Sequence, residues 1–333
     1  MCELTVLLPV FNSESYLKEA VESILNQTFK NFKLIIINDG STDRSKEIIE
    51  KFNDSRILLL ENDENKGLIY SLNKGLKCID TKYMVRMDSD DISHPDRMRR
   101  LLEYMEEDEE IGICGTKVGD FSENRVSDIA NIDDDKLRAV HLLNCSITHA
   151  SAMYRMDIIN RNNLIYHERY KHSEDNDFIT NVLSVSKGAI LNQNLYWVRK
   201  HDDQVSSRFR DFQKRSSTKR RVELLNEVFG VNLHSEEIKL YQTLSYKEPG
   251  LNSGELYDLG KLVLKLERVI IANDDFEFDR KEFLKLLYRR LDIIYLKHSS
   301  LGMSVFVNYL RQFLLNRQTR IGARLFIKSL IRR

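Results

Sequence analysis

Five short, nearly uninterrupted apolar runs punctuate the first third of the chain, and the segments between them carry apolar residues at helical spacing. The runs are Leu4 to Val10, Leu34 to Ile37, Ile57 to Leu60, Tyr83 to Met87 and Ile111 to Thr116. A strand covered on both faces has no solvent side, so it loses in–out alternation and reads as continuous apolar sequence. Between the first two runs, Leu17, Ala20, Val21, Ile24 and Leu25 share one helical face. Helices are likewise predicted over Thr42 to Phe52, over Leu68 to Ile79 and up to about Glu107. Ser13 stands where the first helix needs an N-cap, and Ser93 and Asp96 have capping-box spacing with Pro95 in the first turn. Strands alternating with helices imply right-handed βαβ units, hence an α/β fold with a mostly parallel central sheet flanked by helices. In such sheets ligands gather at the carboxyl ends of the strands.

From Asp120 to about His201 the pattern loosens. It predicts a helix near Asp135 to Leu143, a strand at Ala150 to Tyr154, a helix near Asp175 to Val185, and strands near Ala189 and Trp197. Beyond Ser206 almost everything reads as helix, which divides the chain into residues 1–205 and a helical C-terminal region, 206–333. The 333 residues balance 51 Lys and Arg against 51 Asp and Glu, so the net charge gives no reason to expect nucleic acid as a partner. The four cysteines, Cys2, Cys78, Cys114 and Cys145, form no CxxC pair, and a reducing cytoplasm suits them. The opening residues are too acidic and their apolar stretch too short for a signal peptide, and no run approaches the ~18 apolar residues of a spanning helix.

Arg86-Met-Asp-Ser-Asp-Asp91 carries the strongest chemical signal, because Asp88, Asp90 and Asp91 crowd the exit of the fourth strand with Ser89 among them. Three such acids repel one another unless solvated, paired or bridged by a divalent cation that prefers hard oxygen ligands. Mg²⁺ and Mn²⁺ take one or two carboxylates and leave positions for phosphate oxygens, which suits an Asp-x-Asp pair. The same residues also suit a solvated turn with helix capping. Asp39, within Asn38-Asp39-Gly40-Ser41 at the exit of the second strand, is an acceptor-only group able to receive the N3 hydrogen of uracil. An Asx-type turn with an N-cap is the alternative. At the exit of the first strand, Pro9, Phe11 and Asn12 offer an aromatic edge and backbone groups to a base.

Together the runs Leu7-Leu-Pro-Val-Phe-Asn-Ser-Glu-Ser-Tyr-Leu, Ser23-Ile-Leu-Asn-Gln-Thr-Phe, Leu34-Ile-Ile-Ile-Asn-Asp-Gly-Ser-Thr-Asp and Arg86-Met-Asp-Ser-Asp-Asp resemble glycosyltransferase family 2, whose fold is GT-A. The resemblance extends to about Ser206 and implies an inverting transferase that uses Mn²⁺ or Mg²⁺ and a UDP-sugar donor. It places Asp39 on uracil, Phe11 beside the base, and Asp88 and Asp90 on the ribose and the metal–diphosphate. Asn38 departs from it, since many relatives carry a second acid there.

Inversion is a single displacement, so the acceptor hydroxyl must lose its proton to a base opposite the leaving diphosphate. In His172-Ser-Glu-Asp-Asn-Asp-Phe178 the resemblance assigns Asp175 as that base, with Glu174 binding the acceptor or orienting its neighbour. An acidic first helical turn favoured by the helix dipole is the competing explanation, and Asp177 reads as capping or surface. The resemblance also sets His201 near the metal or diphosphate and His149 on the acceptor side, while lone histidines are commonly structural or exposed. Asn65, Lys66 and Gly67, after the third strand, reach uracil or phosphate on this reading and form a plain loop otherwise.

After Asp292 no acid follows, and Arg311, Arg317, Arg320, Arg324, Lys328, Arg332 and Arg333 interleave with Phe306, Tyr309, Phe313, Leu314, Ile321, Leu325 and Phe326. An apolar face beside clustered cations suits anionic lipid, and a helix packed on its neighbours suits the same pattern. Bacterial surface-polysaccharide enzymes resemble the chain most. They imply a lipid-linked saccharide acceptor and work in the cytoplasm, peripheral to the inner face of the cell membrane.

Overall fold

The computed structural model describes residues 2–120, 132–201, 209–248, 250–272, 279–301 and 303–313, with the side chains of 120 and 311–313 left out. Eight strands form one sheet: β1 Leu4–Val10, β2 Phe32–Asn38, β3 Ile57–Glu61, β4 Tyr83–Arg86, β5 Ile92–Ser93, β6 Ile111–Asp120, β7 Met153–Arg155 and β8 Lys187–Val198. Their order is β3-β2-β1-β4-β7-β6-β8-β5. The first four strands are parallel to one another, as expected. Beyond them β7 runs antiparallel to both β4 and β6, and β5 antiparallel to β8, so the sheet is mixed. The expected strands at Ala189 and Trp197 are one strand, β8, which follows β6 in parallel through register shifts.

Both faces of β1 are covered. Leu4, Val6, Leu8 and Val10 share a core with Leu17, Ala20, Val21 and Ile24 of α1 (Leu17–Leu25) and with Met98, Leu101 and Met105 of α4 (Arg97–Glu107). On the opposite face α3 (Leu68–Leu76) approaches so closely that a Cβ on Gly75 would lie 2.2 Å from Leu7 Cδ1. Short helices α2 (Ser45–Glu50), α5 (Asp134–His141) and α6 (Met156–Arg161) complete the connections before α7 (Glu174–Leu183).

Two expected caps are not made. Helix α1 begins at Leu17, and the Ser13 hydroxyl instead bonds the Ser89 hydroxyl at 2.6 Å. The Ser93–Asp96 box is absent too: Asp96 precedes α4 without a side-chain cap bond, and Gln27 does the work from a distance. Gln27 Oε1 accepts the Met98 amide at 3.1 Å while its Nε2 donates to Ser93 Oγ and His94 O. A buried glutamine tying two helices satisfies an orphan amide that sequence spacing assigns to a nearer residue.

Two compact units divide the chain, Met1–Leu137 with Ser146–Gln213, and Arg138–Cys145 with Lys214–Arg333. The second is helical, with α8 (Arg210–Phe229) running into it, followed by α9 (Ser235–Tyr246), α10 (Ser253–Ala272), α11 (Arg280–Lys297) and α12 (Met303–Phe313). Its core joins Leu225, Tyr241, Leu259, Leu266, Phe283 and Leu291. Among the described residues no helix is long and apolar enough to cross a membrane. Most of the basic C-terminal cluster, from Leu314 onward, lies outside the described residues.

Candidate active site

The loops after β1, β2 and β3 are laced together by side chains. Asn12, held at φ 48°, accepts the Thr42 amide on Oδ1 at 2.8 Å and donates its own amide to Ser41 Oγ at 3.0 Å. Asparagine tolerates this left-handed geometry better than most residues. Asn38 makes the Asx turn, its Oδ1 accepting the Ser41 amide at 3.1 Å. Asp39 is only 3% exposed and serves as the knot of the site. Its Oδ1 accepts Asn62 Nδ2 at 2.6 Å and the Lys66 amide at 3.0 Å, while Oδ2 accepts the Gly67 amide at 2.9 Å. A carboxylate offers about four acceptor positions, so one on Oδ2 remains. Gly40 is obligatory beside it: at φ +65° a Cβ would meet Glu64 C at 2.4 Å. Asn65 Oδ1 accepts the Gly67 amide, Lys66 reaches over the Tyr70 ring, and Phe11 stands 44% exposed at the rim just after Pro9 and Val10.

At the exit of β4, ligand oxygens of Asp88, Asp90 and Asp91 all lie within 4.8 Å of one another. The three are not equivalent. Both oxygens of Asp91 are engaged, by the Tyr196 hydroxyl at 2.7 Å and the Arg199 amide at 2.9 Å. Asp88 pairs through Oδ1 with Arg86 at 2.7 Å, and Asp90 Oδ2 meets His201 Nε2 at 2.9 Å. Burial, with the charges of Asp88 and Asp90 added, pushes the Asp91 carboxyl up to about 7. Burial and the Asp88 charge also raise Asp90, against the lowering effect of His201. Crowded carboxylates with oxygens to spare on Asp88 and Asp90 form a hard oxygen donor set, and Mn²⁺ or Mg²⁺ fits it, with the borderline imidazole of His201 alongside. Asp88 and Asp90, with His201 beside Asp90, could hold such an ion, which when bound would offset charge on a diphosphate.

A second acidic pair opens α7. Burial and the neighbouring Asp175 push Glu174, 9% exposed, up to about 7. Asp175 is raised chiefly by burial and further by the Asp88 charge, and its Oδ1 accepts the Asn176 amide at 2.7 Å. Both acids feel the Arg86 guanidinium. Asp177 departs from its expected capping or surface role: its side chain is fully buried and paired with His167 Nδ1 at 2.7 Å. His149 is buried and held neutral, its Nε2 meeting the Tyr166 hydroxyl at 2.8 Å while that ring stacks on Phe178.

Sequence reasoning left Arg86, Tyr196 and Arg199 without roles. Arg86 is almost fully buried at the end of an apolar strand, and a charged residue in such a run signals a fixed partner, here Asp88. Tyr196 and Arg199 lie at the end of β8 and fix Asp91, a pairing over 105 or more residues that no local pattern announces.

The raised Glu174 carboxyl makes a stability prediction. An acid whose folded value lies above its unfolded one holds a proton that unfolding releases, so it destabilises the fold as pH rises from about 4.5 to about 7. Glu174→Gln removes that cost. Its thermal midpoint should exceed that of the parent protein by a few degrees at about pH 8, and the gain should vanish near pH 4. Scanning calorimetry at the two pH values checks the sign.

A mixed α/β sheet with acids at the exits of β2 and β4 has the GT-A form. The chain belongs to glycosyltransferase family 2: the profile named Glycosyl transferase family 2 matches residues 5–162. It is 30% identical over 264 residues to an uncharacterized glycosyltransferase of Haemophilus influenzae, covering 74% of this chain and 79% of that one. Among solved structures it superposes on S. aureus TarS 1–349 with TM-score 0.57 at 18% identity, over 89% of this chain and 90% of that one. The same protein has been solved with UDP-GlcNAc, TM-score 0.54 at 17% identity, over 98% and 79% of the two chains. The mannosyltransferase PcManGT of Pyrobaculum calidifontis, solved with GDP-Man and Mn²⁺, gives TM-score 0.51 at 11% identity, over 98% and 85%.

Proposed function

We propose that this glycosyltransferase moves a hexose or N-acetylhexosamine from a UDP-sugar to a saccharide hydroxyl, inverting the anomeric centre to form a β-glycosidic bond. The observation that carries the reading is the trio Asp88, Asp90 and Asp91, whose ligand oxygens lie within 4.8 Å of one another at the exit of β4, together with a second acidic pair at the start of α7 whose Asp175 feels the Asp88 and Arg86 charges. One group suits the leaving diphosphate and the other the incoming hydroxyl. In this scheme the remaining Oδ2 position of Asp39 receives uracil N3–H, and Pro9, Phe11, Asn12, Asn65, Lys66 and Gly67 surround the base. Asp88 and Ser89 hold ribose and diphosphate, Asp90, Asp88 and His201 hold Mn²⁺ or Mg²⁺, and Asp175 takes the acceptor proton with Glu174 beside it. The UDP-GlcNAc in TarS and the Mn²⁺ in PcManGT support the donor and ion classes.

Residues 1–205 are then the catalytic domain and 206–333 an accessory helical region. The acceptor we assign is a lipid-linked saccharide of a capsule, O-antigen or similar surface polymer, met at the cytoplasmic face of the membrane. Incubating the protein with labelled UDP- and GDP-sugars, Mn²⁺ and acceptor glycosides tests the reading. UDP release with a new glycoside is expected. Formation of UTP on adding pyrophosphate marks a nucleotidyltransferase instead, and binding without turnover marks a sugar-nucleotide-binding scaffold.

Membrane contact makes a separate prediction. Each cation near an anionic surface contributes about 1 kcal/mol, fading within a Debye length as salt rises. The chain should therefore sediment with anionic vesicles and be loosened by salt, and removal of residues 314–333 should release it while transfer to a soluble acceptor persists. A soluble, active truncation that binds vesicles as well as the full chain overturns this assignment.

A further inference from the structure

Two residues before Glu174, the backbone of His172 stands at φ 63°, a left-handed geometry that non-glycine residues adopt at some cost. The strain has a visible return. The His172 amide bonds the Glu174 carboxylate, and its ring lies flat on Phe209, centroids 4.1 Å apart at 12°, with Phe212 edge-on at 5.5 Å and 88°. Burial and the adjacent Lys171 charge lower the histidine's basicity, so at neutral pH the imidazole is an uncharged ring. Phe209 and Phe212 nevertheless remain 44% and 54% exposed, although a phenylalanine ring gains most by leaving water. Exposed aromatics clustered beside a polar reactive group are the composition of a ligand site rather than of a folding core.

We infer that His172, Phe209 and Phe212 form an aromatic platform that binds a pyranose ring of the acceptor saccharide beside Glu174 and Asp175. A pyranose has one apolar face of axial C–H bonds, about the size of one aromatic ring, and a rim of hydroxyls. Stacking the apolar face on a phenylalanine leaves the rim free to reach the two carboxylates. A lipid tail fits less well, because two rings next to two acids and Lys171 do not make a continuous apolar groove. This assignment rests on Asp175 being the acceptor base, and the two are separable by experiment.

Saturation-transfer NMR on the full-length protein with UDP and Mg²⁺ provides the test, with the methyl and octyl β-glycosides of glucose, galactose and N-acetylglucosamine as probes. Saturation should reach the axial ring protons of at least one sugar. Phe209→Ala and Phe212→Ala should each weaken that binding roughly five- to ten-fold while UDP affinity holds, and Phe209→Trp should restore it. Asp175→Asn should retain glycoside binding, so failure of the base assignment leaves this result unaltered. Equal glycoside binding by the alanine variants, saturation confined to the octyl chain, or parallel loss of UDP affinity would each overturn the platform.

Discussion

Asp175→Asn is expected to bind UDP like the parent protein and to lose transfer by roughly 10²- to 10⁴-fold, the range that a positioned general base contributes. The substitution is chosen for what it leaves intact. Asparagine has the same shape, and its amide oxygen can still accept the Asn176 amide that Asp175 Oδ1 receives at 2.7 Å, so the start of α7 should persist. Only the capacity to take a proton disappears. Glu174→Gln should cost less, because Glu174 already spends its carboxylate on the backbone amides of His172 and its own residue. The pH dependence carries the same assignment. Burial raises both acids, with the Asp175 charge adding to Glu174, which reaches about 7, and the Asp88 charge adding to Asp175, so below neutrality the pair should hold a proton and lose its capacity as a base. Transfer, measured as kcat/KM, should climb as pH rises through that region and then level, with the apparent value belonging to the pair. In Asp175→Asn that limb should flatten. Retained transfer in Asp175→Asn with strong loss in Glu174→Gln reassigns the base to Glu174, and full transfer in both removes this segment from catalysis.

The parts of the fold that rest on local periodicity were legible from the residues alone. Continuous apolar runs mark β1, β2 and β4 because both faces are buried, and the exits of those strands hold the acids and turns of the site. Strand direction is another matter. The Ala150 to Tyr154 run says strand, but nothing in it says that β7 inserts antiparallel between β4 and β6. That placement is locked by Arg155, buried at the end of β7, which donates to Ile111 O, Met105 O and the Tyr83 hydroxyl. Strand β5 has two residues, too few for any period to register. Asp177 shows the same limit at one residue. In the first turn of an acidic helix it reads as solvent-facing, and its partner His167 lies in an irregular segment whose path only the tertiary fold defines. The acids at the strand exits are visible in the sequence, whereas the groups that hold them, Arg86 on Asp88 and Tyr196 and Arg199 on Asp91, emerge only in the fold. Arg86 opens the Arg86–Asp91 run itself, yet its hold on Asp88 appears only in three dimensions.

Removing Asp90 should separate the stability of the acidic cluster from its chemistry. Asp90→Ala is expected to abolish turnover, a loss of several kcal/mol in transition-state stabilisation, because on the proposed mechanism a divalent ion held there would offset the charge of the departing diphosphate. Asp91 is the poorer substitute, since Tyr196 and Arg199 each already hold one of its oxygens. Asp88→Ala should also weaken donor binding, and it frees the buried Arg86 from its carboxylate partner, so some of its effect is structural. Asp90 carries less of that burden: its carboxylate meets the His201 imidazole, and its pKa is raised by burial and by the Asp88 charge. Deleting a repelled, desolvated acid relieves the metal-free fold. In EDTA, therefore, Asp90→Ala should melt at or above the temperature of the parent protein, while its rate with Mn²⁺ or Mg²⁺ collapses. Initial rates across metal concentrations, metal content by mass spectrometry and melting curves in EDTA together decide the matter. Full activity of the parent protein in EDTA, with no metal retained, removes the ion from the mechanism. A variant that melts much lower and loses activity in proportion assigns Asp90 to the fold.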